Sequence, residues 1–79
     1  MPRFYFHRHL NGQVAPDRRG TWLRNENDAC AHAVRYTPLA LRKSVSSGNN
    51  TYLACEVSDG ERTLYVVRGK LIIEKRARQ

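Results

Sequence analysis

Histidines and cysteines are the residues of this chain whose types suggest metal or nucleophile chemistry. His7 and His9 stand two apart in a strand-like segment, so their side chains share one side of it, as two zinc ligands would. No third or fourth ligand follows in a recognisable spacing. Cys30 and His32 would lie about 200° apart around a helix axis and could not face one ion. We therefore predict an exposed polar strand face, with no bound metal and no cofactor.

Catalytic groups are equally scattered along the chain. Nucleophilic catalysis needs a thiol or hydroxyl beside a histidine, and neither Cys30 nor Cys55 has one in a local pattern. Glu26 and Asp28 suit the positive end of a helix dipole better than paired acid-base work. We predict that the protein is not an enzyme and that both thiols are structural, with no disulfide between them.

Positive charge is the dominant property of the composition. Lys and Arg number 14 against 7 Asp and Glu, a formal net charge of +7, which favours anionic partners. Basic residues are densest towards the C-terminus, and tyrosines could stack on unpaired bases. A solvated basic tail, and tyrosines covering a core or a dimer interface, are the alternatives. The candidate nucleic-acid contacts are Arg68, Lys70, Lys75, Arg76, Arg78, Tyr52 and Tyr65.

Two hairpins are expected to position these residues. In the first, alternating Phe4 and Phe6 precede Asn11–Gly12, a dipeptide that favours a two-residue turn, and residues 13–15 return until Pro16 ends the pairing.

Asp59–Gly60 predicts a second two-residue turn. The corresponding register places Cys55 opposite Leu64, so that the apolar faces coincide. It also places Tyr52 and Tyr65 together on the opposite face of the sheet. If a helix covers the apolar face, both tyrosines are exposed and can stack on bases.

One helix is predicted between the hairpins. Asn25 is a suitable N-cap, and alanines recur on one face of the segment from Glu26 onward. Pro38 predicts a kink or break after Thr37, or two short collinear helices.

These elements together predict an α+β fold of ββαββ order, with two hairpins forming a small antiparallel sheet against one kinked helix. Gly69 interrupts the last strand pattern, and Leu71–Ile73 is a candidate short fifth strand.

Three parts of the chain resemble a small bacterial family of unknown function. They are the opening Met1–His7, the Pro16-Asp17-x-x-Gly20-x-x-Leu23 turn, and the Ala-rich helix after Asn25. The resemblance implies a ββαββ-like module in the bacterial cytoplasm. The family carries no known activity, so the resemblance transfers no catalytic residue.

With 79 residues the chain is expected to form one domain over 1–79, with a basic C-terminus that frays from about residue 74. No signal peptide or membrane-spanning run is recognisable, and we predict a cytoplasmic protein. The expected function is a binding or interaction module that associates with a protein partner or with itself as a homodimer. Non-specific nucleic-acid binding through the basic surface and tail is the alternative. No membrane and no small-molecule substrate is expected.

Overall fold

One helix packs against a five-stranded antiparallel sheet. The computed structural model describes residues 1–46 and 48–77. Its elements are β1 (Arg3–Leu10), β2 (Gln13–Ala15), β3 (Thr21–Trp22), α1 (Glu26–Ser44), β4 (Thr51–Ser58) and β5 (Thr63–Leu71). This is the α+β architecture that the sequence predicts, with strands before and after the helix.

The sheet is centred on β1 and β4. Its strand order is β2-β1-β4-β5, and β3 also pairs with β1. The short strands β2 and β3 pair with opposite ends of β1, through Arg8–Leu10 and Arg3–Phe4 respectively. β5 therefore forms one edge of the sheet, and α1 packs on β4 and β5.

The first hairpin has the predicted two-residue turn. Leu10 lies opposite Gln13, and the turn residues Asn11 and Gly12 have φ of 49° and 85°. Positive φ at both positions matches the twist of paired strands, and glycine accepts it without steric cost. Asn11 also exchanges backbone and side-chain hydrogen bonds with Tyr52, which ties this turn to the start of β4.

The second hairpin differs from the prediction in turn length. Ser58 lies opposite Thr63, so four residues, Asp59–Arg62, form the turn. The Asp59 carboxylate stabilises this longer turn, because its Oδ1 accepts hydrogen bonds from the backbone N–H groups of Glu61 and Arg62. The predicted two-residue turn at Asp59–Gly60 is therefore wrong.

A β-bulge between Val57 and Ser58 shifts the pairing of β5 with β4 by one more residue from the predicted register. Cys55 lies opposite Val67 instead of Leu64. Tyr65 consequently lies opposite Val57, on the face that carries the core, and the predicted sharing of one face by Tyr52 and Tyr65 is wrong.

The helix starts as predicted, with the Asn25 side chain accepting from the N–H of Asp28. It continues through Pro38 to Ser44, so the predicted break and the alternative of two helices are wrong. Proline removes a single helical hydrogen bond, and the buried Thr37 and Ala40 on either side of Pro38 anchor the backbone to the sheet. The predicted kink stays a prediction.

The last strand continues past Gly69 to Leu71, so no separate strand forms at Leu71–Ile73. The fifth strand of the sheet is β3 instead. Gly69 lies under the helix, where an added Cβ would be 3.2 Å from Cδ2 of Leu41. Glycine thus lets α1 approach this strand closely.

The core lies between α1 and one face of the sheet. Its buried residues are Phe4, Ala29, Ala33, Cys55 and Val57. The small alanines allow the helix to sit close to the strands. Across the described residues, no helix is both long enough and apolar enough to span a membrane.

Candidate nucleic-acid interface on the open sheet face

The sheet face opposite α1, here called the open face, carries most of the polar strand residues and half of the aromatic ones. Alternation along the strands and the observed register assign its members. From β1 they include Arg3, Tyr5, His7 and His9, and from β4 and β5 they include Tyr52, Ala54, Glu56, Val66, Arg68 and Lys70.

A groove of about 540 Å³ lies at the β1–β2 turn end of the open face. Tyr52, which is 50% exposed, forms one wall and lies directly across from Lys70. Ala54 lies across from Arg68, and its small side chain keeps the floor low. His9 lines the side next to β1. The groove therefore combines an exposed aromatic ring with two cations.

An acid occupies the middle of the open face. Glu56 accepts a 2.6 Å hydrogen bond from the Thr63 hydroxyl, and its Oε1 lies 3.1 Å from Nε2 of His9. The Thr63 bond, followed by that of His9, lowers the pKa of the Glu56 carboxyl. Because an ionised carboxylate only accepts, Nε2 of His9 carries the proton and donates. This contact orients the His9 ring beside the groove.

A row of neighbouring aromatic and basic side chains occupies the other end of the open face. The guanidinium carbon of Arg3 lies 5.1 Å from the Trp22 ring centroid and 5.5 Å from that of Tyr5. The rings of Tyr5 and His7 are parallel within 8°, with centroids 6.4 Å apart. Trp22 is 58% exposed. We call Trp22, Arg3, Tyr5 and His7 the β1 row.

The Pro-Asp turn holds the β1 row in place. Asp17 accepts from the N–H of Phe6 through Oδ2, and from the N–H groups of Arg19 and Gly20 through Oδ1. Its own N–H donates to Nδ1 of His7, which leaves the ring proton on Nε2. Burial raises the pKa of the Asp17 carboxyl, but the three backbone donors outweigh burial and lower it overall.

Gly20, at the end of the same turn, has a φ of 73°. A Cβ there would lie 2.7 Å from Cγ of Arg3, so glycine is needed both for the backbone conformation and for the Arg3 side chain.

The structure brings together three of the predicted nucleic-acid contacts and places Tyr65, Lys75 and Arg76 elsewhere. Tyr52, Arg68 and Lys70 meet in the groove. Tyr65 is half-buried against the core. Lys75 and Arg76 follow the end of β5, where Arg76 contacts Glu74 at 3.0 Å, and Arg78 lies outside the described residues.

Two features of the interface have little signal in the sequence. His7 and His9 are predicted to share an exposed polar strand face, but no local pattern places His9 beside Tyr52 in the groove. The link from Tyr5 through Arg3 to Trp22 depends on the pairing of β3 with β1, for which two residues of extended chain give little sequence signal.

The candidate nucleophile Cys55 and the candidate metal ligand His32 lie apart from the open face, whereas His7 and His9 belong to it. Cys55 is buried under α1, and burial raises the pKa of its thiol, against the smaller effects of the Thr37 hydroxyl and the Arg8 charge. The ring of His32 packs on Phe6, with centroids 4.7 Å apart. Within residues 1–46 and 48–77, no three His, Cys, Asp or Glu side chains are grouped as a metal site would require.

A comparison with known protein families identifies the family of this chain. A family model described as Domain of unknown function (DUF6894) matches residues 3–69. The chain belongs to this family. The match confirms the predicted relationship to a small family of unknown function. The DUF6894 region includes the β1 row, Tyr52 and Arg68, and it ends before the basic residues Lys75 and Arg76. No curated protein and no solved structure matches the chain.

Proposed function

We propose that this DUF6894 protein is a non-catalytic binding module whose open face binds single-stranded nucleic acid. The observation that carries the proposal is the groove in which the exposed Tyr52 ring lies beside Arg68 and Lys70. A planar ring suits a base, and two neighbouring cations suit the phosphates on either side of it.

The charge of the protein supports this assignment. A net charge of +7 attracts a polyanion over long range, and Arg68 and Lys70 bring part of that charge to the groove. Lys75, Arg76 and Arg78 would add phosphate contacts outside the groove, as basic segments do in many nucleic-acid-binding proteins.

Single strands fit the groove better than duplexes do. The Tyr52 ring can stack only on a base that is not already stacked within a helix, whereas a duplex would offer the groove only its phosphates. Stacking and charge contacts tolerate any base, so we expect weak sequence preference.

Burial of Cys55 supports a non-catalytic role. The thiolate is the reactive form of cysteine, and burial both raises the pKa of this thiol and removes it from solvent.

The test is a salt-dependent titration of a labelled single-stranded 12-mer, followed by fluorescence anisotropy. Replacing both Arg68 and Lys70 with Gln should reduce the slope of log K against log salt by about 1.4, since each phosphate contact on a single strand contributes about 0.7. The matched control replaces Arg42 and Lys43 with Gln. Arg42 and Lys43 are exposed at the end of α1, and their replacement removes the same charge as the replacement of Arg68 and Lys70.

Substitutions at Tyr52 test stacking separately from charge. Tyr52→Ala should weaken binding about tenfold, and Tyr52→Phe should retain it. Absence of binding at low salt, an equal loss of slope in the Arg42 and Lys43 control, or preference for the duplex would contradict the proposal.

Association through the β5 edge is the second candidate function. β5 is nine residues long, and among the described residues only β4 pairs with it, so its outer edge could accept a strand from a second copy or another protein. Sedimentation velocity over a wide concentration range tests the homodimer. A monomer at all concentrations would contradict self-association.

A further inference from the structure

We infer that the nucleic-acid site continues along β1 from the groove to Trp22, so that the β1 row forms a second stacking surface for the same single strand. This inference rests on the proposed function. It adds a second part to the site at the opposite end of the sheet. It also sets a minimum length for an oligonucleotide that binds both parts.

The groove and the β1 row belong to one continuous surface. His9 lines the groove, and alternate residues of the same strand, His7 and Tyr5, point to the same side. The pairing of Arg3 with Trp22 continues that surface onto β3. A strand bound in the groove can therefore follow β1 without crossing an edge of the sheet.

The Trp22 ring of the row has a face available for a base. Tyr5 and His7 are parallel, but their centroid separation of 6.4 Å is too large for direct face contact, which brings atoms to about 3.5–4 Å. Trp22 is more exposed than Tyr52, the ring in the groove. Because Arg3 lies over both Tyr5 and Trp22, the exposed Trp22 offers its other face to a base, and Tyr5 supports Arg3 beside it.

The charges of the open face complement an extended strand. Arg3 supplies a cation at one end of β1, and Arg68 and Lys70 supply two at the other. Glu56 lies between them, across from His7, and is engaged by Thr63 and His9. Phosphates are therefore favoured beside the cations at the two ends, where Tyr52 and Trp22 also offer rings to bases.

The distance between the two ends sets the length of ligand required. From Arg3 to Leu10 the strand rises about 23 Å, at about 3.3 Å per residue. A single strand extends by at least the 3.4 Å per nucleotide of one duplex strand, so at most about seven nucleotides span this distance. A trinucleotide can occupy the groove or the row, whereas an octanucleotide can occupy both.

Trp22 provides the readout because it is the one tryptophan in the chain. Oligothymidylates of three and eight nucleotides are titrated into the full chain while anisotropy of a labelled oligonucleotide and Trp22 emission are recorded together. We expect the octamer to quench Trp22 and to bind at least tenfold more tightly than the trimer.

Variants at Tyr5 locate the gain in affinity. Tyr5→Leu should reduce octamer affinity about tenfold without changing groove binding of the trimer, and Tyr5→Phe should behave as the wild type. Circular dichroism confirms that each variant is folded. If Tyr5→Leu fails to fold, the quenching of Trp22 in the wild-type chain still decides the question.

The inference and the proposed function fail in different ways. Octamer binding by anisotropy with unchanged Trp22 emission would overturn the inference and leave groove binding intact. No binding of either oligonucleotide would remove both. A dimer that shifts Trp22 emission in the absence of ligand and excludes the octamer would also overturn the inference, because the row would then be a protein interface.

Discussion

The backbone N–H of Phe6 donates to Oδ2 of Asp17 over 3.1 Å, although the two residues are separated by 11 positions in the chain. The bond lies on the side of β1 between β2 and β3, where no strand residue accepts from Phe6. Asp17 thereby replaces a missing strand partner, and its backbone N–H holds His7 of the β1 row.

Replacing Asp17 with Ala should lower the free energy of unfolding by about 2–3 kcal/mol, because three backbone donors lose a charged acceptor. Urea denaturation measures the loss. Asp59→Ala is the matched control, since it removes a turn carboxylate that serves two exposed donors, and it should cost less. Equal losses in the two variants would contradict the role assigned to Asp17.

Stability should fall in acid partly through Asp17. Its carboxyl has a folded-state pKa below the ordinary value of 3.8, so its contribution is fully present above that pH and is lost as pH falls through the folded-state pKa. Asp17→Asn cannot titrate there. The stability difference between the wild type and Asp17→Asn should therefore shrink as pH decreases below about 3.8. A difference that stays constant down to pH 2 would contradict this prediction.

Gly20→Ala should be more harmful than Gly12→Ala. Both glycines have positive φ, but a Cβ at Gly12 meets no atom of the described residues within 4 Å. A Cβ at Gly20 would lie 2.7 Å from Cγ of Arg3 and 3.0 Å from the carbonyl oxygen of Phe4. We expect each variant to lose about 1 kcal/mol from backbone strain, and Gly20→Ala to lose more. Thermal unfolding ranks the two. Trp22 emission should shift only in Gly20→Ala, because Arg3 must move away from the indole.

Thr37→Val should raise the free energy of unfolding by about 1 kcal/mol. The Thr37 residue is 2% exposed, and apart from a weak contact to the Cys55 thiol its hydroxyl has no hydrogen-bond partner within the described chain. Valine keeps the shape and removes the unsatisfied group. Thr63→Val, which removes a hydroxyl that donates to Glu56, should lower stability instead. Chemical denaturation distinguishes the two, and a loss of stability in Thr37→Val would show that its hydroxyl is satisfied.

Local chemistry explains which parts of the fold were predictable. Asn11–Gly12 and the Asn25 cap depend on residues close in sequence, and both form as predicted. The second hairpin depends on competition between turns of different length, where Asp59 supports the longer one. Pro38 was a strong local signal for a break, but tertiary packing of α1 outweighed it.

The candidate interface was predictable only in part. Alternation alone places His7 and His9 on one face, and the observed register confirms this. Tyr52 lies beside Arg68 and Lys70 because of the observed register between β4 and β5. The predicted two-residue turn gives a different register. Trp22 reaches the same surface only through the two-residue pairing of β3 with β1, which no local pattern specifies.

The turn between β4 and β5 and its adjoining bulge control which side of the edge strand meets the helix. Together they displace the partner of Cys55 from Leu64 to Val67, an odd number of positions. Side chains of a strand alternate between the two faces of the sheet. A displacement by an odd number of positions therefore moves every β5 side chain to the opposite face. A shift of the β4–β5 register by one residue would turn Arg68 and Lys70 towards α1 and Val67 towards solvent. A shift by two residues would restore the arrangement. The length of the turn and the bulge therefore decide together whether the helix meets an apolar surface or a basic one.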